Sequence, residues 1–321
     1  MDKKIYLLSN EGNFYKANLH SHTTFSDGTL TPEQAKEAYK KEGYSIIAFT
    51  DHRIYKNHSY LNDEKFLAIA AYEIDINEEG KEWPTTKTYH INLYDTNPNE
   101  NIELKEKTPL PEQDYGNFEK LNKYIKDMKD LGFIACYNHP FWSLQDYDDM
   151  KGLKGFWGME IYNYGCEHDG LYGYNPQSYD EMLRLGNKLY CVSTDDNHNR
   201  EPFDSPLCDS FGGFTMIKAE SLTYENIINS LLNGNFYSSM GPEIKELYIE
   251  NNTLYIKTSP VEKIFVIMKG RDCYKKLAKK GETITDASFK LNGNEGFIRL
   301  SIRDEKGLYA SSNAYFLEDL K

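Results

Sequence analysis

Two periods of apolar residues alternate along the first three-quarters of the 321-residue chain. Short apolar runs of the kind that form buried strands occur at 45–50, 66–76, 88–94, 133–137, 158–162, 189–194 and 214–217. Segments with helical spacing of apolar residues lie between them, including 117–131, 178–185 and 223–232. This alternation of strands and helices predicts an α/β fold.

The clearest helix signal begins at Thr31, which fits an N-cap, and Gln34 completes a capping box with it. Gly43 is a good terminating residue for this helix. The apolar run at 45–50 follows directly and delivers His52 at its carboxyl end. A strand–helix–strand unit with polar ligands at both strand ends is how α/β barrels build their active sites.

The pattern changes near residue 242, where helical spacing gives way to short runs of alternating apolar residues. Asn251-Asn252 is a turn candidate between two of these runs. We therefore predict two domains, a first over 1–242 and a small all-β, sandwich-like domain over 243–321. The second domain contains no histidine, and we expect no catalytic group in it.

Composition limits the classes of partner. The formal net charge of −13 argues against broad nucleic-acid or membrane-surface binding, because both need a basic face. A phosphorylated substrate remains compatible, since bound metal ions reverse the local field. The first apolar run is too short for a signal peptide, and no stretch approaches a membrane span. With five scattered cysteines that lack Cys-x-x-Cys spacing, we expect a reducing, cytoplasmic location.

Candidate chemistry lies at the strand ends. His20 and His22 are two residues apart, so both rings point to one side of an extended strand. Asp27 lies in a turn sequence that folds its carboxylate back over the strand end. A carboxylate inside an apolar run, such as Glu73, is costly unless it is paired, bound to a cation or turned toward solvent. The remaining candidates, within or just after predicted strands, are His52, His90, His139, Asp196 and His198.

Nine histidine and carboxylate candidates exceed what one metal ion needs. Such ligands without clustered thiolates suit Zn²⁺, Mn²⁺ or Fe²⁺, and we expect two or three ions. Multi-metal sites of this kind hold a bridging hydroxide as nucleophile and clamp the oxygens of an in-line displacement at phosphorus. Taken singly, His90 also fits a satisfied core histidine.

The segment 18–52 resembles the PHP domain, the polymerase and histidinol phosphatase superfamily of metal-dependent phosphoesterases. The motifs that carry the resemblance are His20-x-His22, Ser26-Asp27-Gly28 and Thr50-Asp51-His52. The resemblance extends over most of residues 15–240 and implies a distorted (β/α)7, TIM-like barrel.

The resemblance also implies a ligand set for three ions. The first ion is held by His20, His22, Glu73 and Asp196. The second is held by Glu73, His90 and His139, with Glu73 as the bridge. The third is held by Asp27, His52 and His198. Some family members have histidine in place of Asp27, which leaves the third ion open, and the expected catalytic residues are Glu73, Asp196 and His198.

The function expected from these residues is hydrolysis of a phosphomonoester or phosphodiester, with a phosphorylated small molecule or a nucleotide as substrate. Histidinol phosphatase, nucleotide phosphatase and oligonucleotide nuclease activities all stay open. A non-catalytic metal or phosphate sensor that binds a partner through its β domain is the alternative. A module serving a polymerase is disfavoured, because the chain has no polymerase-sized region.

Substrate contacts are predicted at fewer positions. Arg53 and Arg200 closely follow ligand motifs and are candidates for binding a phosphate oxygen, with a salt bridge as the alternative for both. Residues 141–157 form an aromatic-rich loop that includes Trp142. Residues 163–176 are predicted to be a loop over the site mouth, either contacting substrate or packed on itself.

Overall fold

A computed structural model describes residues 4–320. The strands as far as residue 239 are β1 (Ile5–Tyr6), β2 (Asn13–Asn18), β3 (Ile46–Phe49), β4 (Leu67–Asn77), β5 (Thr88–Asp95), β6 (Phe133–Tyr137), β7 (Gly158–Asn163), β8 (Tyr190–Thr194), β9 (Phe214–Ala219) and β10 (Phe236–Ser239). The helices are α1 (Pro32–Lys41), α2 (Ile102–Lys105), α3 (Phe118–Asp130), α4 (Tyr147–Met150), α5 (Tyr164–His168), α6 (Pro176–Arg184) and α7 (Tyr224–Leu232). Within residues 4–320 no helix combines the length and the apolar character that a membrane crossing needs.

The C-terminal part consists of strands and one short 3₁₀ helix. Its strands are β11 (Ile244–Glu250), β12 (Thr253–Val261), β13 (Lys263–Met268), β14 (Cys273–Leu277), β15 (Ile284–Lys290), β16 (Phe297–Arg303), β17 (Tyr309–Ser312) and β18 (Tyr315–Phe316). The 3₁₀ helices of the whole chain are Ser59–Leu61, Trp83–Thr85 and Leu317–Leu320.

The strands from β2 to β8 lie side by side in chain order. β3 is parallel to β2 and β4, and β7 is parallel to β6 and β8. β5 is antiparallel to both of its neighbours. The helices α1 and α6 connect parallel pairs, and this arrangement confirms the α/β class predicted from the apolar periods.

The large sheet follows an open path. β9 pairs with β2, but no ladder joins β8 to β9 within the described chain. Hydrogen bonds from side chains to the backbone of β8 replace the missing ladder. The Thr215 hydroxyl accepts from the Ser193 amide at 3.2 Å and donates to the Ser193 carbonyl at 3.0 Å, and the Asn313 side chain accepts from the Cys191 amide at 3.0 Å. The backbone edge of β8 is thereby satisfied without closing a barrel.

The C-terminal strands contribute to two sheets. β11, β12 and β15 form a four-stranded sheet with β1, whereas β13, β14, β16, β17 and β18 continue the large sheet through the β10–β17 pair. An apolar cluster fills the space between the sheets, with Leu247 and Ile256 from one side and Val266 and Leu300 from the other. The packing is sandwich-like, while a domain boundary at residue 242 stays a prediction, because the large sheet is continuous across it.

Two local features predicted from the sequence, a capping box and a hairpin turn, are formed in the structure. Both halves of the Thr31–Gln34 capping box are formed at α1. Asn251 and Asn252 join β11 to β12 with φ of 50° and 55°, the conformation that two-residue hairpin turns require. The short helices α4 and α5 lie in segments that were predicted to be loops. Helices this short have too few residues for a periodic pattern.

Candidate metal centre

The structure brings all nine predicted ligands together at one edge of the large sheet. Each of the nine belongs to at least one group of three or more side chains whose donor atoms lie within 4.8 Å of one another. The groups are His22, Asp27, His52 and His198; His20, His22 and Glu73; His20, His139 and Asp196; and Glu73, His90 and His139. Because the carboxyl ends of parallel strands meet at one sheet edge, residues far apart in sequence become neighbours there.

The first implied ligand set is compact and buried. Nε2 of His20 lies 3.1 Å from Nε2 of His22. Oδ1 of Asp196 lies 3.1 Å from His20 Nε2 and 3.0 Å from His22 Nε2. Glu73 presents Oε1 at 3.3 Å from His20 Nε2 and Oε2 at 3.4 Å from His22 Nε2. Four side chains, two from just after β2, one from within β4 and one from just after β8, therefore face one small volume.

The second implied set shares Glu73 with the first. Its Oε1 lies 3.1 Å from Nδ1 of His90 and 3.7 Å from Nε2 of His139. His139 Nε2 is also 3.6 Å from Oδ2 of Asp196. Glu73 thus lies between the two sets, as a bridging carboxylate would.

The third implied set is the most open. Oδ1 of Asp27 lies 3.3 Å from Nε2 of His198 and 3.9 Å from Nε2 of His52. The same oxygen is 3.8 Å from Nδ1 of His22. Since the Asp27 side chain is 41% exposed, this set lies nearer to solvent than the other two.

Two ligands have left-handed backbone conformations. The φ angle of His139 is 23° and that of Asp196 is 54°. Non-glycine residues pay a conformational cost there, and such residues persist where the surrounding structure holds them. Neighbouring backbone bonds do so here: the Asp196 amide donates to the His20 carbonyl at 2.9 Å.

The donor set fits divalent cations. Nδ1 of His20 lies 2.7 Å from the Glu160 carboxylate, so Nε2 is the ring nitrogen that faces the cluster. Oε2 of Glu73 and Oδ1 of Asp196 are buried without a partner in hydrogen-bond geometry, although ring nitrogens lie within 3.4 Å of Oε2 and within 3.1 Å of Oδ1. Buried acceptors that face one another need a cation between them.

Without such cations, protons must balance the cluster. Burial lowers the pKa of His20, but the carboxylates of Asp196 and Glu73 outweigh burial and raise it well above the ordinary value. Burial likewise opposes protonation of His52, and Glu73 raises its pKa to about 9. Burial, together with the neighbouring imidazoles, lowers the pKa of His22 to about 4. Protons and metal ions therefore compete for the same side chains.

Glu160 supports the cluster from below. It is fully buried, and its Oε1 lies 2.7 Å from both Nδ1 of His20 and the hydroxyl of Thr194. Its Oε2 accepts from the His139 amide at 3.1 Å and from the Asn163 side chain at 2.9 Å. A carboxylate behind a ligand histidine fixes the tautomer and raises the basicity of the ring.

Asp51 anchors the turn that carries Asp27. Its carboxylate accepts from the amide and the hydroxyl of Thr23, both at 2.8 Å, and from the hydroxyl of Ser26 at 2.8 Å. Within this turn, a Cβ on Gly28 would lie 2.4 Å from the His22 carbonyl oxygen. Only glycine allows so close an approach.

Asp195 anchors a second loop in the same way. The carboxylate, fully buried beside Asp196, accepts hydrogen bonds from four donors. These are the Tyr39 hydroxyl at 2.7 Å and the amides of Phe211, Gly212 and Gly213 at 2.8, 3.0 and 2.7 Å.

No role at the site was predicted from the sequence for Glu160 or Asp195, and Asp51 was named only as part of a family motif. Glu160 could have been identified from the sequence, because it is a carboxylate within an apolar strand. The same pattern singled out Glu73. Asp51 and Asp195 each precede a ligand directly, but their hydrogen-bond donors lie in other segments and give no local pattern.

The two predicted phosphate-binding arginines differ in placement. Nε and Nη2 of Arg53 form a bidentate pair with Asp75 at 2.6 and 2.7 Å. Arg200 lines the cleft, and its Nη2 lies 2.9 Å from Oδ2 of Asp27. Arg200 is therefore beside the cluster, whereas two of the N–H donors of Arg53 are engaged by Asp75.

The cluster opens into a cleft of about 600 Å³. Seven of the nine ligands line it, all except His20 and His22. Further lining residues come from the predicted aromatic-rich loop and mouth loop, among them Trp142, Cys166, His168 and Asp169. The cleft is large enough for a ligand of drug-like size.

The fold and the site together indicate a class of protein. An α/β sheet with histidine and carboxylate side chains gathered at one edge is typical of a metal-binding α/β domain. The chain belongs to the PHP family, since the family's sequence model, described as PHP domain, matches residues 18–298. The comparison with curated proteins gives no match.

The solved structures that this chain matches include two from bacteria. One is a two-domain protein containing a predicted PHP-like metal-dependent phosphoesterase from Bacteroides vulgatus. It is 17% identical, with a TM-score of 0.46, and the match covers 96% of this chain and 98% of that chain. The other is an amidohydrolase from Chromobacterium violaceum with bound sulfate and no metal. It is 16% identical, with a TM-score of 0.33, and the match covers 60% of this chain and 93% of that chain.

Proposed function

We propose that this protein is a metal-dependent phosphoesterase that hydrolyses a phosphomonoester or phosphodiester at the nine-residue cluster. One observation carries the proposal: the buried Glu73 carboxylate lies 3.0–3.7 Å from ring nitrogens of five histidines. These histidines are His20, His22, His52, His90 and His139. So many imidazoles around one carboxylate are the donor set of a multi-metal site.

The three ligand sets implied by the family resemblance are the ones that we propose to hold the ions. Bound Zn²⁺, Mn²⁺ or Fe²⁺ supplies a Lewis acid and an activated water for displacement at phosphorus. Glu73 and Asp196 hold the cluster together, because each faces histidines of more than one set. His198 and Asp27 close the cluster on the cleft side.

Arg200 is the residue that we propose to orient the phosphate. Its guanidinium is 66% exposed beside Asp27, and a guanidinium forms strong hydrogen bonds to phosphate oxygens. Arg53 is assigned no phosphate contact, since Nε and Nη2 bind Asp75 in a bidentate pair and the residue is not among those that line the cleft.

The test combines elemental analysis of the purified protein with phosphate-release assays on sugar phosphates, nucleotides and dinucleotides. We expect at least two transition-metal ions per chain, activity that a chelator removes, and recovery when metal is added back. Full turnover by metal-free protein would contradict the proposal. Intact metal with no turnover of any ester would favour the non-catalytic sensor instead.

A further inference from the structure

We propose that Trp83 and Trp142 form a subsite for a planar aromatic group in the alcohol part of the substrate, such as the base of a nucleotide. The inference rests on the proposed phosphoesterase function and narrows its substrate class. It assigns a role to two side chains in the cleft that neither bind metal nor support a ligand.

Trp142 lies at the edge of the cluster. Its ring centroid is 5.1 Å from that of His139 and 5.8 Å from that of His90. The indole Nε1 donates to Asp169 at 2.8 Å, and this bond holds the ring in place. A phosphate ester bound at the cluster therefore meets an oriented indole beside the second ligand set.

Trp83 extends this aromatic surface outward. It begins the 3₁₀ helix between β4 and β5, and its centroid is 6.0 Å from that of Trp142, with the ring planes at 61°. The side chain is 62% exposed although it is large and apolar. Two indoles at such an angle offer an aromatic ligand a face for stacking and an edge for a T-shaped contact.

The indole surface favours a planar aromatic occupant at this wall of the cleft. A nucleobase can stack on an indole through its face, and this contact needs no hydrogen-bond partner. Sugar hydroxyls, in contrast, need hydrogen-bond partners when they are desolvated, and the Nε1 of Trp142 is already bound to Asp169 at 2.8 Å.

The chain supplies its own control, because it has three tryptophans. Trp157 lies outside the cleft lining and packs against Tyr94 and Phe236, and its Nε1 donates to the Leu231 carbonyl at 3.0 Å. We compare Trp83→Ala and Trp142→Leu with Trp157→Phe. The substrates are adenosine monophosphate, glucose 6-phosphate and glycerol 2-phosphate, and metal content is measured for every variant.

We expect kcat/KM for adenosine monophosphate to fall about tenfold in both cleft variants, the range measured when a stacking aromatic is removed. Hydrolysis of glycerol 2-phosphate should stay within about twofold, because this ester has no group to stack. Trp157→Phe should leave both activities unchanged. Equal losses on both esters at unchanged metal content would overturn the subsite, as would a loss confined to glucose 6-phosphate.

A binding measurement separates this inference from the proposed function. In Trp157→Phe, indole fluorescence reports only Trp83 and Trp142. We expect saturable quenching by adenosine monophosphate and none by glycerol 2-phosphate. Quenching without hydrolysis of any ester would leave the subsite standing and remove the phosphoesterase. Absence of quenching in a protein that hydrolyses phosphate esters would remove the subsite alone.

Discussion

Two regions of this protein differ in the kind of side chain that their β-strands bury. Around the candidate metal centre, the buried side chains within and just after β2 to β8 include histidines and carboxylates such as His20, Glu73 and Glu160. Between the two C-terminal sheets the buried side chains are mainly apolar, and the large buried cation Arg299 of β16 is paired with Asp180 of α6 through two donors at 2.7 and 2.9 Å. At the metal centre, two carboxylate oxygens, Glu73 Oε2 and Asp196 Oδ1, are buried without a hydrogen-bond partner, and a cation would complete both. This contrast marks the functional end of the molecule.

The largest expected effect comes from removing the charge at the centre of the cluster. Glu73→Gln keeps the volume but leaves five histidines without the carboxylate that faces them. We expect metal content and phosphate release to fall by more than the about 10- to 100-fold cost of losing an outer-shell partner. Asp27→Asn should be milder, because Asp27 is half-exposed and belongs only to the third set. A larger loss from Asp27→Asn, measured under the same conditions, would show that the bridge lies elsewhere.

A substitution in the C-terminal region should lower the free energy of unfolding and leave metal binding unchanged. Arg299→Leu leaves the Asp180 carboxylate without its buried partner, and breaking a buried pair costs about 3–5 kcal/mol in the free energy of unfolding. Arg303→Leu is the control, because its pair with Glu262 is partly exposed at 3.4 Å and is worth at most about 1 kcal/mol. Denaturant unfolding measures both variants. A folded Arg299→Leu protein that had lost its metal would show that the two regions are not separable in this way.

Glu160→Gln tests the support behind His20. The amide keeps the size of the carboxylate but can no longer stabilise the orientation and basicity of the imidazole to the same extent. We expect metal affinity, measured by titration calorimetry, to fall about 10- to 100-fold. The exposed Glu119 on α3 provides a control, and Glu119→Gln should leave metal affinity unchanged. Wild-type affinity in Glu160→Gln would mean that Thr194 and Asn163 hold the strand end without help from the charge.

The smallest expected effect is a pH dependence of metal loading. Because the pKa of His52 is raised to about 9 in the cation-free protein, a metal ion must displace its proton at lower pH. Apparent affinity should therefore rise with pH up to at least about 9, changing at most about tenfold per pH unit for each displaced proton. Calorimetry in two buffers with different ionisation enthalpies detects the released proton. Identical heats in both buffers would contradict proton displacement.

The same pKa shift predicts a sign for stability. A histidine with a raised pKa stabilises the folded, cation-free protein fully below its unfolded pKa of about 6.5. That contribution is lost as the pH rises through about 9. Metal-free protein should thus lose stability between these values, while metal-loaded protein should not. The opposite trend in thermal unfolding would exclude His52 as a protonated partner of Glu73.

Local sequence was sufficient for much of the fold, and together with the family resemblance it named the nine candidate ligands that the structure brings together. The capping box at Thr31, the turn at Asn251-Asn252 and the apolar periods depend on neighbours within a few residues, so they can be recognised before the chain is folded. His20 and His22 face one side because strand residues two apart must do so. Glu73 stands out because a carboxylate inside an apolar run needs a reason to be buried.

Tertiary structure decided the rest, because it depends on contacts between distant segments. Glu160 lies 140 positions from His20 in the chain yet within 2.7 Å of it in space. The pairing of Arg53 with Asp75 follows from the way in which β4 lies beside β3. Trp83 meets Trp142 only because the β4–β5 connection and the loop after β6 border the same cleft. No local period records such contacts, since each is fixed by strand order and sheet curvature rather than by spacing along the chain.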